Sequence, residues 1–371
     1  MTIIVDVRTR VLSIDLHTPF VTALRRTSTI DTVVVEVTDS DGRTGWGEAP
    51  QAWRITGDSL AGARACLDGP LADVLRGASV EPRETAPRIA SAIVGNHGAK
   101  MAADVALHDL AARAAGLPLA EHLATWSGRS DAAGESRTVV PTDVTLAAGE
   151  AGALAAAAID RVAEGFTVLK LKVGTDAQTD LGRVRAVREA VGPDITLRLD
   201  ANQGWDAVAA VTVVRAIEDA GLDIELVEQP VPAHDLPGLA WVTERVSTPV
   251  LADESLFTLA DLVEIVRQRA ADLVNVKLAK CGGLTAALEL LDIAGRHGIG
   301  TMVGSMMESH IGVGAAGALW VATGGGRTPD LDAAWWATSS AYDGGVVYDG
   351  PTLVLPASPG LGIGGVSGVR G

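Results

Sequence analysis

Apolar and polar residues alternate almost one for one over the first 50 positions, as in TIIVDVRTRVLSIDL and DTVVVEVTDSDGRTGWGEA. That period of two is the pattern of half-buried strands. The Asp41-Gly42 step between such runs marks a hairpin turn. From 57 to 125 the spacing becomes helical, with Gly116-Leu-Pro118 closing one helix and AEHLATW opening another. From about 138, short apolar runs alternate with Ala-rich amphipathic segments such as AAGALAAAAIDRVAEG and AAVTVVRAIEDAG. The runs TDVTL, VLKLKV, ITLRLD, IELVEQ, PVLAD, LVNVKL and TMVGSM read as strands, with a candidate eighth at 329–332. Such alternation predicts parallel strands with helices outside them. After 343 the chain returns to Gly/Pro turns and short strands, expected to pack back on the N-terminal module.

Charge at the strand ends turns this pattern into chemistry. Lys172, Asp200, Glu228 and Asp253 close successive apolar runs, separated by 28, 28 and 25 positions. That is about one strand–helix–strand repeat, and in a (β/α) barrel the C-terminal strand ends carry the active site. Three adjacent carboxylates repel one another unless a divalent cation neutralises them. Oxygen-only ligands point to a hard ion, with Mg²⁺ the natural candidate. Lys170 and Lys172 share a strand face, since i and i+2 point the same way. Their mutual repulsion and burial predict that one lysine is shifted toward a pKa suited to a base. Lys277 lies in a further strand, 24 residues after Asp253, across a barrel from Lys172. Two bases facing each other over a metal suit taking a proton from one face and returning it on the other. A proton α to a carboxylate is weakly acidic, so Mg²⁺, helped by Lys170, must stabilise the developing charge.

Composition narrows the setting. A chain of 371 residues with 47% apolar and 20% charged residues is long enough for a barrel plus a second module. A net charge of −16 without a basic stripe argues against nucleic acid. Two cysteines, Cys66 and Cys281, show no framework or metal spacing, which fits a reducing compartment. MTIIVDVRTR has no signal-peptide core, and the most apolar stretch, 311–323, is too short for a bilayer. A cytoplasmic protein with no membrane partner, assembled as a homo-oligomer, is the expectation.

Several motifs together resemble the enolase superfamily, and its muconate-lactonizing-enzyme subgroup in particular. They are WGEAP at 46–50, the Lys170-Leu-Lys172 strand, DANQGW at 200–205, ELVEQP at 225–230, ADES at 252–255 and NVKLAKCGG at 275–283. The resemblance covers nearly the whole chain. It implies an α/β fold, a modified (β/α)7β TIM-type barrel with an α+β capping domain. On this chain the capping domain would take 1–125, the barrel 126–342, and the tail 343–371 would return to the cap. It also implies Asp200, Glu228 and Asp253 as Mg²⁺ ligands, with Lys172 and Lys277 as the acid/base pair.

Two further strings bear on the substrate. Asp330-Leu-Asp332 resembles the DxD by which dipeptide epimerases hold a free α-ammonium. A carboxylate pair suits a cation and repels an anionic N-succinyl or muconate group. Pro19-Phe20-Val-Thr-Ala-Leu-Arg25 is similar to the loop of L-Ala-D/L-Glu epimerases whose arginine binds the glutamate side chain, making Arg25 the fork for a second carboxylate. ITGDS at 55–59 matches that group's mobile loop. By resemblance, Thr145, Ser305, Met306 and Met307 contact substrate, and Glu308 supports them. Trp335 and Trp336 are bulky and would cover the barrel mouth, which leaves the accepted side chain open. His297, His310 and Cys281 show no partner pattern and read as structural.

The resemblance thus implies a Mg²⁺-dependent dipeptide epimerase, leading with L-Ala-D/L-Glu and bacterial peptidoglycan turnover. Epimerases of hydrophobic dipeptides, N-acylamino acid racemases and o-succinylbenzoate synthases are the alternatives.

Overall fold

The computed structural model describes residues 2–21, 26–129 and 138–367. The alternating N-terminal runs form an antiparallel sheet of β1 (Ile4–Val21), β2 (Arg26–Asp39) and β3 (Thr44–Pro50), in that order. The helix His97–Ala115 lies across β3, buried along most of its length. Two glycines permit that contact. A Cβ on Gly47 would sit 1.9 Å from the Ala102 carbonyl oxygen, and one on Gly45 2.2 Å from that of Ala106.

After β4 (Val139–Pro141) come the seven parallel strands expected from the alternation. They are β5 (Val144–Leu146), β6 (Val168–Lys172), β7 (Thr196–Asp200), β8 (Ile224–Glu228), β9 (Val250–Ala252), β10 (Leu273–Lys277) and β11 (Gly300–Gly304). Each hydrogen-bonds its neighbour in chain order. The candidate eighth strand is reduced to a single parallel bridge between Gly304 and Asp330. Asp330 N donates to Val303 O and Ser305 N to Asp330 O, which joins 329–332 to β11. On the other side Asp143 N donates to Pro329 O, Leu331 N to Thr142 Oγ1 and Thr145 N to Asp332 Oδ2. Side-chain acceptors thus replace part of the last ladder, and the barrel closes through them.

Strand alternation sorts the barrel interior by height. Leu226, Leu251, Leu273 and Met302 form a small buried apolar cluster, and burying each stabilises the fold by about 1.5–3 kcal/mol. One residue pair further along, the same faces carry Glu228, Asp253, Asn275 and Gly304. Arg198, fully buried, is held by Asp143 Oδ2 at 2.8 Å, Glu225 Oε2 at 2.6 Å and the Thr328 carbonyl at 2.8 Å.

The tail contributes β12 (Tyr342–Gly344), β13 (Val347–Asp349), β14 (Thr352–Val354) and β15 (Ile363–Val366). β14 pairs with β13 and β4, and β12 with β15. Leu361 N donates to Asp109 Oδ1 at 2.6 Å and Arg113 Nη2 to Ile363 O at 2.7 Å, so the tail returns to the capping helix. No helix among the described residues is long and apolar enough to cross a membrane.

Candidate active site

The cavity at the C-terminal ends of the barrel strands, about 640 Å³ counting its open mouth, is bordered by Phe20, Arg54 and Ile55 of the capping segment. Its walls gather Lys170, Lys172, Asp200, Asp253 and Lys277 with Thr145, Ser305, Met306, Met307, Asp330 and Asp332. Glu228 is fully buried, paired with Asp200 on β7 and with Leu251 on β9, two residues before Asp253. The period-two rule explains the convergence: Lys172, Asp200, Glu228 and Lys277 end their strands, Asp253 directly follows β9, and Lys170 shares the inward face of Lys172. β6 and β10 are four places apart in the sheet order, half the circuit of an eight-membered barrel, so Lys172 and Lys277 face each other.

Beyond the strand ends, side chains lock the turns. Gln229, at φ 37°, accepts from Asp253 N at 2.9 Å and Ser255 N at 3.1 Å. Its amide nitrogen donates to Val231 O and Ser255 Oγ, so its side chain ties the end of β8 to the end of β9. A left-handed non-glycine residue costs on the order of 1–3 kcal/mol and persists where its surroundings hold it.

Ion pairs dominate the electrostatics. Lys170 Nζ donates to Asp330 Oδ2 at 2.5 Å and lies 3.5 Å from both Asp200 Oδ2 and Glu228 Oε2. Lys172 Nζ donates to Asp200 Oδ2 at 2.5 Å, and Lys277 Nζ to Asp253 Oδ2 at 2.9 Å. The lysine–lysine repulsion expected from the Lys170-Leu-Lys172 strand does not set the balance. Burial alone would lower the Lys170 pKa, but Asp330, Glu228, Asp200 and Asp143 together hold it well above the usual lysine value. Lys277 moves up likewise: burial opposes, and Asp253 and Glu228 outweigh it. Cross-strand carboxylates, invisible within one strand, overturn the expectation of a depressed lysine.

The carboxylates divide in the same way. Burial raises Asp253, yet Lys277 and Lys280 pull it well below the usual range. Asp200 also falls, because Lys172 and Lys170 outweigh its burial. Glu228 and Glu254 move up, first through burial and then through neighbouring anions.

The donor set fits a hard divalent cation. Glu228 Oε2, Glu254 Oε2 and Asn202 Oδ1 are buried oxygens without a hydrogen-bond partner. Leaving such atoms unsatisfied costs about 1–3 kcal/mol each. All are oxygen ligands of the kind Mg²⁺ takes. Among the described residues, no three acidic, His or Cys side chains already form a coordinating group. The ammoniums of Lys172 and Lys277 instead hold oxygens of Asp200 and Asp253.

Several residues to which the sequence assigns no role join the site, although Glu254, Asn275 and Lys280 lie within the ADES and NVKLAKCGG motifs. Arg54 lines the cavity, and Glu254 does so while accepting from Asn202 Nδ2 at 3.3 Å. Lys280, in the one-turn helix Leu278–Cys281, bonds the Asp253 carbonyl and lies 2.5 Å from Asp253 Oδ1. Asn275 Nδ2 donates to Glu228 Oε1 at 2.9 Å. Alternation within LVNVKL places Asn275 on the face of Lys277. Arg25 lies outside the described residues.

Trp335 and Trp336 do not line the cavity. Trp336 Nε1 donates to Asp332 Oδ2 at 3.0 Å and its ring stacks on His17. Trp335 meets Phe166 edge-on and lies beneath the Arg161 guanidinium. Trp336 thus holds Asp332 from outside the cavity lining.

Sequence and structure comparisons bear on the family and the fold. Residues 4–124 match the mandelate racemase / muconate lactonizing enzyme N-terminal domain, and 153–364 the enolase C-terminal domain-like family. The chain is 40% identical over 370 residues to the L-Ala-D/L-Glu epimerase of Bacillus subtilis (strain 168), covering 99% of this chain and 98% of that protein. The structure of a substrate-liganded complex of the B. subtilis L-Ala-D/L-Glu epimerase superposes with a TM-score of 0.92 at 39% identity, covering 98% of this chain and 99% of that one. The dipeptide epimerase of Enterococcus faecalis V583, complexed with Mg and L-Leu-L-Tyr, superposes with a TM-score of 0.89 at 37% identity, covering 97% and 99%. Matched along both domains, the chain belongs to the mandelate racemase / muconate lactonizing enzyme family of the enolase superfamily.

Proposed function

We propose that this chain is a Mg²⁺-dependent dipeptide epimerase, inverting the α-carbon of the C-terminal residue, with L-Ala-D/L-Glu as the leading substrate. The observation that carries the reaction type is the placement of Lys172 and Lys277 on opposite strands of one buried cavity. Inversion needs a base on one face and an acid on the other. Lys172 takes the α-proton of one diastereomer while Lys277 donates from the far side, and the roles exchange for the other diastereomer. Asp200, Glu228 and Asp253 would hold the metal, which when bound would supply positive charge to stabilise the enediolate; Asp200 and Asp253 now pair with Lys172 and Lys277. Lys170 adds a fixed ammonium next to that position.

The substrate class rests on Asp330 and Asp332 in the segment that closes the barrel. Both are buried and border the cavity. Lys170 holds Asp330 ionised against its burial. A buried carboxylate there recruits an ammonium and repels an N-acyl carboxylate. Asp330→Asn is expected to lower kcat/KM for L-Ala-L-Glu by about 10²-fold, the size of a lost charge-assisted hydrogen bond of about 1.5–3 kcal/mol. Most of the loss should fall on KM. Unchanged kinetics would remove the amine-binding role and favour an N-acylamino acid racemase.

Phe20, Ile55, Met306 and Met307 on the cavity wall favour a second reading, an apolar C-terminal side chain. A panel of L,L-dipeptides followed for α-proton exchange in D₂O separates the two. The acidic reading expects Ala-Glu to exchange fastest, with Arg25 binding its carboxylate. Equal or faster exchange of Ala-Phe or Ala-Leu overturns it. A cytoplasmic setting in peptidoglycan turnover is part of the same proposal, in keeping with Cys66 and Cys281 both being free thiols.

A further inference from the structure

Away from the reacting groups, a second pair of acids is buried where the capping sheet meets the barrel. Glu48 ends the WGE run of β3, and Glu308 follows the cavity-lining Ser305-Met306-Met307; both are fully buried. Glu48 Oε1 accepts from Ser309 N at 2.9 Å and Gly312 N at 2.6 Å, at the start of the helix His310–Ala322. Glu308 Oε1 accepts from Met306 N at 2.8 Å. The second oxygen of each, Oε2, has no hydrogen-bond partner. Gly312 lies between them: a Cβ there would stand 2.3 Å from Glu308 Oε2 and 2.7 Å from Glu48 Oε1. The two carboxylates are therefore no more than about 5 Å apart, where two buried charges cannot both be kept.

We propose that Glu48 and Glu308 share one proton, and that this proton pins the Ser305–Met307 wall of the cavity to the capping sheet. Both are positioning residues. Burial raises Glu48 as well, but two backbone donors at the helix N-terminus oppose that rise where Glu308 has one, so the proton favours Glu308. Glu308 in turn orients Met306 N, and with it the wall that borders the substrate cavity. Among the described residues His310, at the start of the same helix and packed on Tyr342 and Tyr348, is lowered to about 4 by burial and offers no counter-charge at neutral pH. Thr32 and Ser309 present hydroxyls, Tyr342 bonds Ser309 Oγ, and the nearby Asp330 is an anion. Tyr348 feels the Glu308 charge only as a further penalty. Lys277 acts on Glu308 as a cation, and Asp253 already holds it. Burial first, then the Glu48 charge, raise Glu308 to about 8.

The proton itself is independent of the proposed activity; only the kinetic arm of the test rests on it. An infrared difference spectrum, wild type minus Glu308→Gln at pH 7, should show the carbonyl band of a protonated acid, shifted in D₂O. A difference containing only carboxylate bands overturns the proposal. Stability gives a second readout. A carboxyl raised in the folded state contributes stability that is full below its unfolded pKa and is lost progressively as pH rises to its folded value of about 8. Wild-type Tm should therefore fall from about pH 5 to about pH 8, and Glu308→Gln should flatten that fall. In the kinetic arm, KM should rise by about tenfold per pH unit above the titration point, kcat changing less, and the variant should lack this limb. If Glu308→Gln does not fold, Glu48→Gln replaces it, and an unaltered Tm slope there counts against the pair. A dead wild-type enzyme on every dipeptide would remove the proposed function and leave the infrared and Tm arms standing.

Discussion

Replacing either Lys172 or Lys277 by glutamine is expected to abolish epimerisation, by about 10²–10⁴-fold or more, while leaving half of the reaction visible. The two ammoniums stand on β6 and β10, across the cavity from each other. Each reaches one face of the α-carbon. In Lys172→Gln the diastereomer whose α-proton faces Lys277 still loses that proton to solvent deuterium, and the other does not. Lys277→Gln gives the mirror result. Complete inversion needs both lysines, so the double variant should epimerise no more slowly than either single one, as expected of groups acting as a unit. Glutamine keeps a donor near Asp200 Oδ2 and Asp253 Oδ2, which the lysines now hold at 2.5 and 2.9 Å. An unchanged circular dichroism spectrum then separates lost chemistry from lost folding. Deuterium exchange into both diastereomers at equal, reduced rates in each variant would sink the two-base scheme.

What the sequence discloses of this site follows from geometry. A strand has period two, so spacing alone puts Lys170 with Lys172, Arg198 with Asp200 and Asn275 with Lys277 on shared faces. Their positions at the ends of apolar runs place them on one rim of a barrel. The (β/α)7β fold was legible for the same reason. Partners across strands were not. Lys170 meets Asp330, 160 residues later, and that contact reverses the pKa direction expected from Lys172 alone. Glu254 follows the end of β9 at Ala252, where alternation no longer predicts direction, and it borders the cavity. Trp335 and Trp336 read as bulk at the mouth because a sequence shows size without direction. Asp332 Oδ2 and His17 fix Trp336 in a supporting place. Glu48 and Glu308 meet only because the capping sheet folds back on the barrel.

Adding Mg²⁺ to the chelated protein is expected to raise its Tm, restore activity and release protons. Six carboxylates surround the cavity or abut it: Asp200, Glu228, Asp253, Glu254, Asp330 and Asp332. Lys170, Lys172, Lys277 and Lys280 oppose them. Among these buried groups two negative charges are left over, the charge of one divalent cation; Arg54, bordering the cavity, is exposed and does not enter the count. Without the cation, protons take up that excess: burial and neighbouring anions raise Glu228 and Glu254 above the usual carboxylate range. Metal and protons therefore compete, and Mg²⁺ affinity should increase as pH rises. Calorimetry in two buffers of different ionisation enthalpy measures the protons released, which should decline toward alkaline pH. At a Mg²⁺ concentration of 100 Kd, linkage adds about 2.7 kcal/mol of stability. Glu228→Gln keeps the shape and the Asn275 contact but removes one ligand charge. Its apo form should be no less stable than wild type, because the raised carboxyl penalises the folded state once ionised. Its Mg²⁺-dependent gain in Tm should shrink sharply, along with activity. A wild-type Tm indifferent to Mg²⁺ between pH 6 and 9 would contradict the assignment, since a site holding two excess buried charges gains stability from any cation that fits it.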